Sequence, residues 1–156
     1  KDAIVAVMCL CEVAAYCKKN NQTLWDMMLE MYEAYGYFKE TQYTITLKGI
    51  DGSKQIAAIM DKLRQNPPKA IGEAKVLRFR DYQEDKVIDM ETGAESKTGL
   101  PKSNVLYFEL PNNCWCCARP SGTEPKIKFY MGVVGSSLED AQAKVEQLTE
   151  DLKALI

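Results

Sequence analysis

The residues best suited to chemistry lie together in one polar segment, residues 119–126, which reads RPSGTEPK. The guanidinium of Arg119 is a planar fork of donors that can bind two oxygens of one phosphate. The hydroxyls of Ser121 and Thr123 add short donors, and Gly122 allows neighbouring backbone N–H groups to turn towards a common point. This combination predicts a binding site for an anion.

The same segment also has the composition of a turn, so a second interpretation stays open. Pro120 and Pro125 stiffen the chain, which would preorganise an anion site but equally suits a loop between two strands. In that second interpretation Arg119 makes only a surface ion pair. The segment is longer than a hairpin turn requires, which favours binding. Lys128, one strand step beyond, would add a positive charge if its side chain faces the loop.

The composition of the whole chain excludes several other kinds of function. Its 156 residues include 20 Lys and Arg against 22 Asp and Glu, which is the wrong balance for a protein that mainly binds nucleic acid. The chain contains no His, so mechanisms that need an imidazole base or a His metal ligand are excluded within it. With 46% hydrophobic and 27% charged residues, the composition is that of an ordinary globular protein.

Six cysteines form two groups, one near the start of the chain and one in the later strands. Neither group has the C-x-x-C spacing that is typical of zinc sites. We therefore predict reduced thiols that serve as small core residues, with zinc as the minor alternative. The residues are Cys9, Cys11, Cys17, Cys114, Cys116 and Cys117.

The first part of the chain predicts two helices. Asp2 can cap a helix over Ala3–Lys19 whose apolar residues go almost all the way round, as in a helix buried inside a large protein. Its apolar run is too short to span a bilayer. Thr23 and Asp26 predict a capping box for a second helix, which Gly36 ends. Because the chain starts abruptly, without an initiator Met or a signal segment, we expect a piece of a longer protein.

From residue 43 onwards the pattern predicts a separate domain. Tyr43, Ile45 and Leu47 alternate with threonines, which indicates a strand. Further strands are predicted at residues 75–81, 104–110, 114–119 and 127–134, with helices opened by Gly52-Ser53 and by Ser137 and an exposed loop or hairpin at residues 82–100. These elements predict an α+β fold, in which a mostly antiparallel sheet carries both helices on one face and leaves the other face free.

Residues 119–130, RPSGTEPKIKFY, resemble the phosphate-binding loop of the α-D-phosphohexomutases, the phosphoglucomutase/phosphomannomutase family. GLPKSN at residues 99–104 is similar to a segment of the larger phosphoglucomutase branch, and residues 1–40 resemble the last helices of the third domain of these four-domain enzymes. The resemblance implies that residues 1–42 are the end of domain three and that residues 43–156 are domain four. Domain four of the family has a fold like that of the TATA-binding protein, a sheet with two helices.

The resemblance also implies roles for single residues. The family's grip on the phosphate that is not transferred falls, position by position, on Arg119, Ser121, Gly122 and Thr123. Lys128 stands where many relatives have Arg. Lys1 stands at a family K-D-G/A position near the sugar, where Ala3 replaces the commoner Gly.

The family reaction is an isomerisation that moves a phosphoryl group between the C1 and C6 hydroxyls of a hexose through a phosphoserine and a bisphosphate intermediate. The phosphoserine and the Mg²⁺ ligands belong to earlier domains, so this chain is expected to bind the substrate phosphate, to hold no metal and not to catalyse alone. The expected partners are glucose 1-phosphate, glucose 6-phosphate and the other domains of a cytoplasmic parent, with neither nucleic acid nor a membrane. The resemblance implies that the choice among glucose, mannose, glucosamine and pentose phosphates is made by a sugar loop outside this chain.

Two other interpretations stay open. A stand-alone regulatory module would bind phosphate or another anion with the same loop and carry out no chemistry. A structural module would use the free face of the sheet to bind another protein, with the loop as a mere turn.

Overall fold

The structure is a computed structural model that describes residues 2–156, with the backbone alone of Ile50. The chain divides into two compact units, Lys1–Tyr37 and Phe38–Ile156. The first unit holds α1 (Ala3–Lys19) and α2 (Leu24–Tyr35), as the sequence predicts.

The caps of both helices are the predicted ones. The carboxylate of Asp2 accepts a hydrogen bond from the N–H of Val5 at 3.0 Å. At the start of α2, the hydroxyl of Thr23 accepts from the N–H of Asp26 at 3.1 Å, and the carboxylate of Asp26 accepts from the N–H of Thr23 at 2.7 Å. Each helix start is therefore fixed by local hydrogen bonds, as is typical of these cap residues.

Most apolar side chains of the first unit are exposed. Cys17 is the buried residue of α1, with its Sγ 3.8 Å from Sδ of Met27, and α2 has no buried residue. Leu10 is 56% exposed. Within this chain α1 and α2 cover little of each other, so the burial of α1 inside a larger protein stays a prediction. Among the described residues, no helix has both the length and the apolar character that crossing a bilayer demands.

The second unit is built on an antiparallel sheet. Its strands are β1 (Tyr37–Thr46), β2 (Ala70–Ile71), β3 (Ala74–Lys75), β4 (Arg78–Asp81), β5 (Lys86–Asp89), β6 (Glu95–Ser96), β7 (Leu106–Glu109), β8 (Trp115–Pro120) and β9 (Lys126–Gly135), and its helices are α3 (Gly49–Gln65) and α4 (Leu138–Leu155). Within residues 2–156, seven strands form one sheet in the order β1-β9-β8-β7-β4-β5-β6, and β2 pairs with β3. The pairs from β9 through to β6 are antiparallel.

Both helices of this unit cover the same face of the sheet. Phe108, Ala118 and Phe129 come from three adjacent strands, and all three are buried. They belong to one cluster with Met60 of α3 and Val145 of α4. Side chains alternate across a strand, so the residues directly before and after each of these three lie on the opposite face of the sheet, which we call the free face. The predicted α+β fold, with two helices on one face of a mostly antiparallel sheet, is confirmed.

Two element starts differ from the predictions. β1 begins at Tyr37, earlier than residue 43, and its first part lies exposed at the sheet edge, so its sequence lacks the alternation of a half-buried strand. The first helix of the unit begins at Gly49, with Lys48 as its N-cap, and not at Gly52. Gly52 lies inside the first turn, where a Cβ would come within 2.8 Å of the Cβ of Leu47, so close packing requires glycine there.

The middle of the domain also differs from the predictions. The strand expected at residues 75–81 is two strands, because β3 pairs with β2 whereas β4 pairs with β5 and β7. The stretch at residues 82–100, predicted as an exposed loop or hairpin, does contain a hairpin, formed by β5 and β6, and this hairpin pairs with β4 and so extends the main sheet. The hairpin of β7 and β8 around Pro111, the last strand and the final helix capped by Ser137 are confirmed.

Candidate functional site

The polar segment of residues 119–126 connects β8 to β9 at one end of the sheet. Arg119 and Lys128 are direct cross-strand partners in this antiparallel pair. The residues next to them, Ala118 and Phe129, are buried under the helices. Arg119 and Lys128 therefore lie side by side on the free face, so the condition placed on Lys128 is met.

The backbone of the segment is held by its own hydrogen bonds. The N–H of Ser121 donates to the carbonyl of Lys126 at 2.8 Å and so closes the loop. The hydroxyl oxygen of Ser121 accepts from the N–H groups of Thr123 and Glu124 at 3.4 and 3.3 Å. Two amides of the loop thus point at the Ser121 oxygen, whereas the Ser121 hydroxyl hydrogen remains a donor. The set of inward-pointing amides is smaller than the composition suggests.

Gly122 lies at the open side of this loop. A Cβ at this position would meet no atom within 4 Å, and the residue is exposed. The space in front of its backbone is therefore free for a ligand.

A cavity of about 390 Å³ lies over this loop and the adjoining strand residues. Its lining residues are Arg119, Pro120, Ser121, Gly122, Thr123, Lys126, Lys128 and Tyr130. The four residues predicted for phosphate binding in the loop, together with Lys128, are therefore brought to one cavity. Lys1, the predicted residue on the sugar side, lies outside the described residues.

The charges at this cavity are mostly positive. Lys126 is paired with the carboxylate of Glu124. The ammonium of Lys128 lies 3.5 Å from the amide oxygen of Gln42, a neutral partner. Among residues 2–156, no carboxylate forms a salt bridge with Arg119 or Lys128. Two positive side chains that lack an acidic partner therefore share one opening.

Burial shifts the pKa values of the neighbouring Cys116 and Cys117 thiols, and the charge of Arg119 also acts on that of Cys117. Burial raises the pKa of the Cys117 thiol to about 11, and the guanidinium of Arg119 pulls in the opposite direction. Cys116 points to the helical side, where burial raises its pKa to about 12. Neither thiol ionises readily at neutral pH, so the cavity offers no thiolate nucleophile.

Pro120, Lys126 and Tyr130 line the cavity but were not among the predicted binding residues. Tyr130 could have been found from the alternation along β9, since it lies two residues after Lys128 and therefore on the same face.

Among the described residues, no cluster of three or more His, Cys, Asp or Glu side chains is arranged to hold a metal. The side chains of the described residues therefore do not fit a Mg²⁺ site.

Comparisons with known proteins bear on the origin of this chain. No protein-family model matches it. Curated relatives do match it. A protein from Staphylococcus aureus strain COL, named phosphoglucomutase, is 35% identical over 148 residues, which are 95% of this chain and 27% of the relative. The phosphoglucomutase of strain MW2 is 34% identical over the same share. Over these residues, the chain is similar to phosphoglucomutases.

The chain spans about a quarter of the length of the phosphoglucomutases that it matches, 27%. Among solved structures, it is similar to pp63/parafusin of Paramecium, an exocytosis-sensitive phosphoprotein described as a phosphoglucomutase and seen in an open form. The match has a TM-score of 0.55 and 15% identity, and it covers 97% of this chain and 27% of that protein. At this identity the structural match supports the fold only.

Proposed function

We propose that the cavity over residues 119–128 binds the phosphate of a phosphosugar. The observation that carries this proposal is the pairing of Arg119 with Lys128 across two strands. Like charges directly opposite each other destabilise a sheet. Neither side chain has an acidic partner among the described residues, so a bound dianion would remove the repulsion. Donors from Ser121, Gly122 and Thr123 surround the same opening.

The parent of this chain is proposed to be a phosphohexomutase that interconverts hexose 1-phosphates and hexose 6-phosphates. The kinship with phosphoglucomutases supports this proposal. In such an enzyme the cavity would hold the phosphate that is not transferred and so orient the sugar, while the reacting groups and Mg²⁺ would be supplied by other residues of a cytoplasmic parent. Binding energy of this remote kind accelerates a reaction when it is realised together with the reactive geometry. We expect the chain alone to bind and not to catalyse.

The two units of the chain fit different places in that parent. Residues 1–42 are proposed to end the third domain and residues 43–156 to form the fourth, a boundary that lies within β1, after the one between the two compact units. The exposed apolar side chains of α1 and α2 support the first assignment, because such surface is normally covered. The complete core between the sheet, α3 and α4 supports the second.

Replacing Arg119 by alanine tests the phosphate site. Charge-assisted hydrogen bonds contribute on the order of 1.5 to 3 kcal/mol, so Arg119→Ala should weaken binding of inorganic phosphate and glucose 6-phosphate by roughly ten- to a hundredfold. For the unchanged chain we expect a Kd of about 1 mM or higher, measured by NMR titration, since one side of the ligand stays in water.

Arg78→Ala is the matched control. Arg78 is another arginine of the free face, but its Nε donates to Glu109 at 2.8 Å and it does not line the cavity. Its loss should leave both dissociation constants unchanged. Equal affinities for the Arg119→Ala variant and the unchanged chain would refute the phosphate site.

A further inference from the structure

The cavity is larger than a phosphate needs. Its volume of about 390 Å³ lies within the range of roughly 300–1,000 Å³ that small-molecule sites occupy. A phosphoryl group held by Arg119 and the loop fills only part of this space. The remainder extends along β9 on the free face, because Lys128 and Tyr130 both line the cavity and lie two residues apart on that strand.

Tyr130 lies at the end of the cavity away from the loop. Two residues of a strand advance by roughly 7 Å, so Tyr130 is one side-chain step beyond Lys128. Its cross-strand partner is Cys117, a small side chain, whereas the partner of Lys128 is Arg119. The character of the surface thus changes along the cavity from charged to aromatic.

Tyr130 differs from the other aromatic residues of the free face. Tyr107 and Trp115 stack on each other, with ring centroids 5.6 Å apart and planes 14° apart. Tyr130 forms no such stacked pair with another described residue. It is also the aromatic residue among those that line this cavity, and it is partly exposed. Its ring is therefore available to a ligand.

We infer that Tyr130 contacts the organic group esterified to the bound phosphate and makes the site select a sugar phosphate over free phosphate. This inference rests on the proposed phosphate site. An aromatic ring offers a broad apolar surface with a polar hydroxyl at its tip, which suits a sugar that carries both C–H groups and hydroxyls. Tyr130 is then a specificity residue, and Arg119 and Lys128 hold the charge that all phosphates share.

Comparing two ligands tests this assignment. In NMR titrations of the full chain, Tyr130→Ala should raise the Kd of glucose 6-phosphate by about tenfold, through the lost ring contact. The Kd of inorganic phosphate should stay within about twofold of that of the unchanged chain, because the phosphate contacts are made by other residues. Tyr130→Phe keeps the ring and should retain most of the preference for the ester.

Tyr107→Ala is the matched control, because it removes a tyrosine from the same face outside this cavity and should change neither Kd. An equal effect of Tyr130→Ala on both ligands, or none on either, would overturn the inference while leaving the phosphate site intact. If inorganic phosphate binding is insensitive to Arg119→Ala, the proposed phosphate site itself fails. The two failures are therefore distinguishable.

Discussion

The two units of the chain differ in how far their apolar side chains are buried. In the second unit Phe129 is 0% exposed and belongs to a single cluster that joins the sheet to α3 and α4. In the first unit Ile4 is 75% and Leu10 56% exposed on a well-capped helix. The difference shows that local signals can specify a helix whose apolar side chains its own unit does not bury. Only the second unit buries its apolar side chains in a core, between the sheet on one side and α3 and α4 on the other.

The largest expected difference between the units is in the cost of a core truncation. Phe129→Ala should lower the free energy of unfolding by about 3–5 kcal/mol, because it leaves a cavity among buried side chains. Leu10→Ala truncates an exposed side chain and should change the free energy of unfolding by less than about 0.5 kcal/mol. The measurement is urea denaturation, in which each substitution is scored on the unfolding of its own unit.

The chain has two tryptophans, Trp25 in α2 and Trp115 in β8, so each unit has its own fluorescent reporter. A Trp25→Phe background isolates the signal of Trp115 and therefore of the second unit, and a Trp115→Phe background isolates that of Trp25 and of the first unit. A Leu10→Ala cost as large as that of Phe129→Ala would break the contrast, because it would mean that the apolar surface of α1 is covered in solution.

Cysteine alkylation sharpens the same contrast with a smaller effect. Burial raises the pKa of Cys116 to about 12, so at pH 8 its reactive thiolate is scarce and its sulfur is shielded. Cys9 and Cys11 are exposed on α1. The rise from the ordinary thiol pKa of 9.0 lowers the thiolate fraction of Cys116 by a factor of ten for each pKa unit, so iodoacetamide should modify the exposed Cys9 and Cys11 at least about a hundredfold faster than Cys116.

Mass spectrometry of peptides gives these rates, and labelling in denaturant supplies the reference in which all six thiols react. Comparable rates for Cys9 and Cys116 under native conditions would show that the second unit opens often or that α1 is shielded. The prediction that all the cysteines are small core residues is already wrong for Cys9 and Cys11, which the structure leaves exposed.

Much of the fold follows from local signals in the sequence. The caps at Asp2, Thr23 and Ser137 mark three helix starts, and the turn residues around Pro111 mark the hairpin of β7 and β8. The failures fall where local pattern and tertiary structure differ. The start of β1 is exposed and has no alternation to read, and Gly52 looks like a cap although packing against Leu47 is what requires it.

The site was only partly predictable, for a different reason. The loop residues are contiguous, so their composition alone indicated an anion site. The pairing of Arg119 with Lys128 depends on strand register, and the position of Tyr130 in the cavity depends on which face it shares. The two loop amides that turn to the Ser121 oxygen follow from the loop conformation, which residue types do not determine.

Mapping the amide chemical shifts of the ¹⁵N-labelled chain during addition of inorganic phosphate tests the central claim most directly. We predict saturable shifts at Ser121, Gly122 and Thr123 and at the side-chain Nε of Arg119, with α1 and α2 unaffected. Absence of shifts in this loop at phosphate concentrations of about 10 mM, or saturable shifts centred elsewhere, would contradict the proposed phosphate site.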